Sequence, residues 1–87
     1  MSDGAPMVYI VDDDPAVRDS VGFLVSSVGY DYLSCASGAE LLQRLDDGRP
    51  ACIVLDVRLP GVSGLEIQRE LQNRGAVAGV IFITGHG

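Results

Sequence analysis

Apolar residues along this chain fall alternately into short continuous runs and into helical stripes. Met7-Val8-Tyr9-Ile10-Val11 is an unbroken apolar run bounded by turn formers, which predicts a strand buried on both faces. It stops at Asp12-Asp13-Asp14. Asp14 before Pro15 reads as a helix N-cap followed by the first helical position. Val17, Val21, Leu24, Val25 and Val28 then recur at helical spacing, so this helix is expected to bury one stripe, with Gly29 as its stop. A short second strand is predicted over 30–35. Ser37 followed by Glu40 is a capping box that opens a helix with Leu41, Leu42 and Leu45 inward. Asp46-Asp47-Gly48-Arg49-Pro50 reads as a turn.

The pattern then repeats. Ala51 to Leu55 is a further buried-strand run, closed by Asp56. A loop over 57–62 contains Pro60 and Gly61. Ser63 and Glu66 form a second capping box, and the helix behind it carries Ile67 and Leu71 on one face and ends near Gly75. Gly79 to Thr84 is a fourth strand, followed by Gly85-His86-Gly87. Strands alternating with helices across short loops imply an α/β fold with a parallel sheet and right-handed crossovers, in the order β-α-β-α-β-α-β.

Composition narrows the class. The 87 residues allow one small domain, and 47% hydrophobic content is enough for a core. Residues 1–6 read as a flexible N-terminus ahead of the folded part, 7–87. A net charge of -6 argues against direct nucleic-acid binding, which needs clustered cations. All six basic residues are arginine; the chain has no lysine. Cys35 and Cys52 lack zinc-ligand spacing and read as small core hydrophobes with reduced thiols. With no signal peptide and no long apolar run, a cytoplasmic protein without a membrane segment is expected.

In a parallel α/β sheet, chemistry collects at the carboxyl ends of strands. Asp12 and Asp13 follow strand one and Asp56 closes strand three. If those strands are neighbours, three carboxylates converge. Two like charges about 4 Å apart repel by roughly 4 kcal/mol at an effective dielectric near 20. A hard divalent cation offsets this, and Mg²⁺ uses one or two carboxylates together with waters and phosphate oxygens. Asp14 reads as a cap alone. A carboxylate beside such an ion can attack phosphorus and form an acyl phosphate. Asp56, on the strand expected mid-sheet, suits that role.

Three segments carry a family resemblance. They are Val8-Tyr9-Ile10-Val11-Asp12-Asp13-Asp14-Pro15, Leu55-Asp56-Val57-Arg58-Leu59-Pro60-Gly61-Val62-Ser63-Gly64 and Ile81-Phe82-Ile83-Thr84-Gly85. In this order and spacing they resemble the receiver domain of two-component response regulators, and most closely the nitrogen-fixation regulators, whose fourth strand also runs into Thr-Gly-His. The resemblance implies a flavodoxin-like sheet with strand two outside strand one and strand three beside it. It implies that Asp56 is the phosphoacceptor, that Asp13 ligates Mg²⁺ directly and that Asp12 holds metal-bound water. It makes the backbone carbonyl of Arg58 a further ligand and Thr84 the residue that senses the phosphoryl group. Pro60 and Gly64 would shape the loop and the helix start. His86 is assigned no chemistry. The implied donor is a sensor histidine kinase, and the implied output is DNA-binding transcription regulation by an attached domain.

Receivers continue through a further helix, strand and helix, so the resemblance implies a flavodoxin-like fold truncated after the fourth strand. The fifth strand supplies a lysine and an aromatic switch residue that have no counterpart among these residues, which takes one charge-assisted bond from the phosphoryl group. The apolar side chains of strands one and three are then expected to be exposed and strand four to be a bare edge. If these residues were the whole molecule, a homodimer or a swapped oligomer would be the expected consequence. The favoured expectation is that the missing elements belong to a longer natural protein. Two other functions compete. A haloacid-dehalogenase-like phosphatase also uses an Asp nucleophile and Mg²⁺, but wants Thr or Val where this chain has Ala16, and a downstream lysine. A non-phosphorylated scaffold would keep only the fold. The expectation is a phosphoacceptor switch, not an enzyme. No GxGxxG follows strand one, so a dinucleotide site is a poor fit.

Overall fold

In the computed structural model, residues 6–46, 48–57 and 64–83 are described. Four strands and three helices alternate: β1 (Met7–Val11), α1 (Pro15–Ser27), β2 (Tyr32–Cys35), α2 (Gly38–Arg44), β3 (Ala51–Asp56), α3 (Gly64–Arg74) and β4 (Ala78–Ile83). All strand pairs are parallel, in the order β2-β1-β3-β4. Strand one therefore sits between two and three, as the receiver resemblance implies.

Local chemistry sets the element ends. Asp14 Oδ1 accepts the Ala16 N–H at 2.9 Å, with Pro15 at the start of α1. The helix stops at Gly29, whose φ of +94° is open to glycine at little cost. At α2, Ser37 Oγ accepts the Glu40 N–H at 3.1 Å. The reciprocal bond of the capping box lands one residue early, because Glu40 Oε1 accepts from the Ala36 N–H at 2.8 Å. Gly75, at φ +68°, ends α3. Strand two is shorter than expected, and β4 (Ala78–Ile83) begins one residue earlier than expected, with Thr84 outside the described residues. Ser63 of the second capping box lies outside the described residues.

The core lies between the sheet and the pair α2 and α3. Tyr9, Val11, Cys35, Ile53 and Leu55 from the strands meet Leu41 and Leu45 of α2 and Ile67 and Leu71 of α3. Burying a large aliphatic side chain contributes about 1.5–3 kcal/mol, so this layer carries the fold. Tyr9 keeps its polar end satisfied at depth: its hydroxyl accepts the Asp46 N–H at 2.9 Å. Helix α1 packs on β1 and β2. It comes close at Gly22, where a Cβ would stand 2.6 Å from the Tyr32 ring.

Three expectations need correction. The α1 stripe is narrower than its five apolar positions suggested. Val17, Val21 and Val25 are half-buried, but Leu24 and Val28 are 64% and 69% exposed. They lie off the line of positions four apart that meets the sheet. Strand one is not bared either: Val8 and Ile10 are buried, while exposure falls on Ile81 and Phe82 of β4, with Cys52 and Val54 of β3 half-buried. Cys52 is accordingly only half a core residue, whereas Cys35 is fully buried.

Burial pushes the Cys35 thiol up to about 11, and the nearby Glu40 charge adds to the shift. Cys35 is therefore a protonated, unreactive thiol at neutral pH. Iodoacetamide at pH 8 is expected to label the native chain at Cys52 and to spare Cys35 until denaturant is added. Equal labelling of both cysteines in the native chain would contradict this placement.

Candidate functional site

The register of β1 on β3 decides the site. Val11 faces Leu55 across the ladder, so the next residues, Asp12 and Asp56, stand side by side where both strands end. Asp13 follows in the turn into α1. One carboxylate oxygen from each of Asp12, Asp13 and Asp56 lies within 4.8 Å of the other two. Asp12 and Asp56 are buried and Asp13 is exposed. The cluster thus has a floor of two desolvated carboxylates and an open side.

The turn is held by a chain of backbone contacts. Asp12 extends the sheet by one bond, its N–H donating to the Cys35 carbonyl at 3.1 Å. Its Oδ1 accepts the Asp14 N–H at 2.9 Å. Arg18 Nη1 donates to the Asp12 carbonyl oxygen at 2.7 Å. Burial is the main cause that raises the Asp12 pKa, and the Asp56, Asp13 and Asp14 charges push it the same way. The hydrogen bond from Asp14 opposes them.

Of the residues singled out in the sequence, the structure brings Asp12, Asp13 and Asp56 together and leaves Asp14 as a cap. Gly64 begins α3, and a side chain there would collide with the Phe82 ring from β4. Its lack of a Cβ permits that approach. Arg58, Pro60 and Thr84 lie outside the described residues, as does His86. Two residues escaped the sequence reading. Phe82 looked like an ordinary strand residue. Arg18 carried one available signal, since it is the sole basic residue before Arg44.

The donor set fits a hard cation. It offers only carboxylate oxygens, at separations one ion can span, and no nitrogen or sulfur.

A doubly wound sheet with an acidic cluster at the ends of its first and third strands defines a class, and the comparisons agree with it. The chain belongs to the response regulator receiver domain family, whose description matches residues 8–87. It is 49% identical over 83 residues to the transcriptional regulatory protein FixJ of Azorhizobium caulinodans, covering 92% of this chain and 38% of that protein. The crystal structure of FixJ-N superposes with a TM-score of 0.79 at 35% identity, covering 95% of this chain and 66% of that one. The response regulator TrrA of Thermotoga maritima, solved in complex with Mg²⁺-BeF, superposes at 0.75 with 26% identity, over 95% of this chain and 72% of that one. The chain spans about two-fifths of the length of the curated relatives it matches.

Proposed function

We propose that this chain is the phosphoacceptor module of a transcription regulator, taking a phosphoryl group from a sensor histidine kinase onto Asp56. The observation that carries the proposal is the convergence of Asp12, Asp13 and Asp56 within 4.8 Å. So close a set of carboxylates is held against its own repulsion unless a cation joins it. Asp12, Asp13 and Asp56 would hold Mg²⁺, as the Mg²⁺-bound TrrA relative supports. When bound, the ion neutralises phosphoryl oxygens and aligns the donor.

An Asp56 carboxylate oxygen attacks phosphorus. The new O–P bond forms as the P–N bond to the donor histidine breaks, and the imidazole nitrogen leaves with the electron pair. Asp12 and Asp13 keep the site hard and anionic before the phosphoryl group arrives. The resemblance adds the Arg58 carbonyl as a ligand, Thr84 as the phosphate-sensing hydroxyl and Pro60 as a loop-shaping residue. FixJ is a transcriptional regulator, which supports an output of that kind beyond these residues. Among the described residues no helix is long and apolar enough to cross a membrane, and the reading places the module in the cytoplasm.

The test is direct. Acetyl phosphate with Mg²⁺ is expected to yield a hydroxylamine-labile adduct, and chelation of the metal is expected to abolish it. Continuous turnover of phosphate esters would instead support the phosphatase reading. Mg²⁺ binding with no adduct would support the scaffold.

Self-association belongs to the same proposal. Phe23 of α1 is 73% exposed and Ile81 of β4 is 52% exposed, and strand β4 pairs only with β3 among the described residues. Open edges and apolar patches of this kind favour pairing of chains. The sedimentation coefficient is expected to rise with protein concentration. A compact monomer at high concentration would rule the dimer out.

A further inference from the structure

We propose that Arg18 is a positioning residue of the acidic site, its guanidinium pinning the Asp12 carbonyl so that the β1–α1 turn aims Asp13 at Asp12 and Asp56. The metal-binding arm of this inference rests on the function proposed above.

Three observations carry it. First, the Asp12 carbonyl lies past the end of β1, where β2 has also ended at Cys35. Arg18 Nη1 gives it a charge-assisted bond at 2.7 Å. Second, the Asp13 carboxylate is exposed and accepts no hydrogen bond from the described residues, so the placement of its backbone is what brings it within reach of Asp12 and Asp56. That backbone is the Asp12–Asp13 peptide, whose oxygen Arg18 holds. Third, Arg18 stands in the first turn of α1, near the positive end of the helix dipole, a placement that helix electrostatics disfavour. A cation is kept there against that field, and its side chain leans toward the helix N-terminus, as helical geometry directs. Elsewhere, Arg44, Arg49 and Arg74 form surface ion pairs with Glu40, Asp31 and Glu70. Arg18 instead contacts a peptide oxygen at the site.

Charge and positioning predict opposite signs. As a mere countercharge, Arg18 would compete with Mg²⁺, and its removal would tighten binding. As a positioning residue it favours the ion indirectly, and partners one shell out from a metal commonly change affinity tenfold or more.

Mg²⁺ titration of wild type, Arg18→Ala and Arg18→Lys, followed by calorimetry, separates these. Binding is expected to weaken about tenfold in Arg18→Ala and to recover most of that loss in Arg18→Lys, which keeps a cationic donor. Unchanged or tighter binding in Arg18→Ala overturns the proposal, and so does a loss that Arg18→Lys does not recover. A second arm needs no metal. Hydrogen exchange at the Asp14 amide, which bonds Asp12 Oδ1, is expected to quicken about tenfold in metal-free Arg18→Ala while core amides keep their rates, a size set by the loss of one hydrogen bond. Unchanged Asp14 exchange overturns the proposal even if the wild type binds no Mg²⁺, a result that would sink the proposed function instead. Arg44→Ala, which removes an equal charge from an exposed pair, is expected to leave both readouts at wild-type values.

Discussion

Asp56→Asn is expected to abolish the hydroxylamine-labile adduct, down to the background of the assay. The side chain keeps its size and one carbonyl oxygen, so the fold survives. What disappears is the anionic nucleophile, and a carboxamide cannot form the acyl phosphate. The control is close by. Asp14 belongs to the same acidic run but points its carboxylate at the Ala16 N–H, 2.9 Å away, as a cap. Asn caps helices as well as Asp, so Asp14→Asn is expected to leave adduct yield and stability near wild type. Intact-protein mass spectrometry after incubation with acetyl phosphate and Mg²⁺ reads both variants. An adduct that persists in Asp56→Asn would place the acceptor elsewhere.

The difference between these two aspartates was legible in the sequence because each sits at a boundary of known type. Asp56 ends an apolar strand run, and Asp14 precedes a proline at a helix start. The meeting of Asp12 with Asp56 was legible only on the condition that strands one and three pair, and the ladder from Met7 with Ala51 to Val11 with Leu55 supplies that condition. Arg18 was not legible in the same way. Its role depends on a side chain reaching back from α1 to a carbonyl six residues earlier, and no apolar period encodes such a contact. Side-chain exposure also escaped the pattern. Leu24 and Val25 look equivalent in sequence, yet only Val25 lies in line with Val17 and Val21 against the sheet. Ile10 and Ile81 look equivalent as well. The first is buried beneath α1, and the second is half-open at β4, because among the described residues a helix packs closely over one and not over the other. Periodicity states which face is apolar; tertiary placement decides whether that face is covered.

The same carboxylates that suit the site for a cation work against the metal-free fold. Asp12→Asn is therefore expected to stabilise the metal-free chain at pH 7. Charges within 4.8 Å repel by about 1 kcal/mol in a water-like dielectric and by a few kcal/mol at an effective dielectric near 20. At roughly 4–8 °C per kcal/mol for a domain of this size, the melting temperature should rise by several degrees. Asn keeps the oxygen that accepts the Asp14 N–H, so the turn is retained. The pH dependence follows from the raised Asp12 pKa. The folded chain holds that proton more tightly than the unfolded chain does, so stability falls as pH rises from the ordinary value of 3.8 through the raised one. Below that window Asp12 is protonated in both states and the mutant's advantage should vanish; above it the advantage should be complete. Mg²⁺ reverses the order. A ligand at one hundred times its dissociation constant stabilises the folded state by about 2.7 kcal/mol, and the variant, lacking one carboxylate, should gain less of it. Thermal melts of both proteins with and without Mg²⁺ at pH 3 and pH 7 test this directly. A metal-free Asp12→Asn chain that melts below wild type at pH 7 would show that the cluster is not held under electrostatic strain, and would leave the close approach of its three carboxylates to be explained by packing alone.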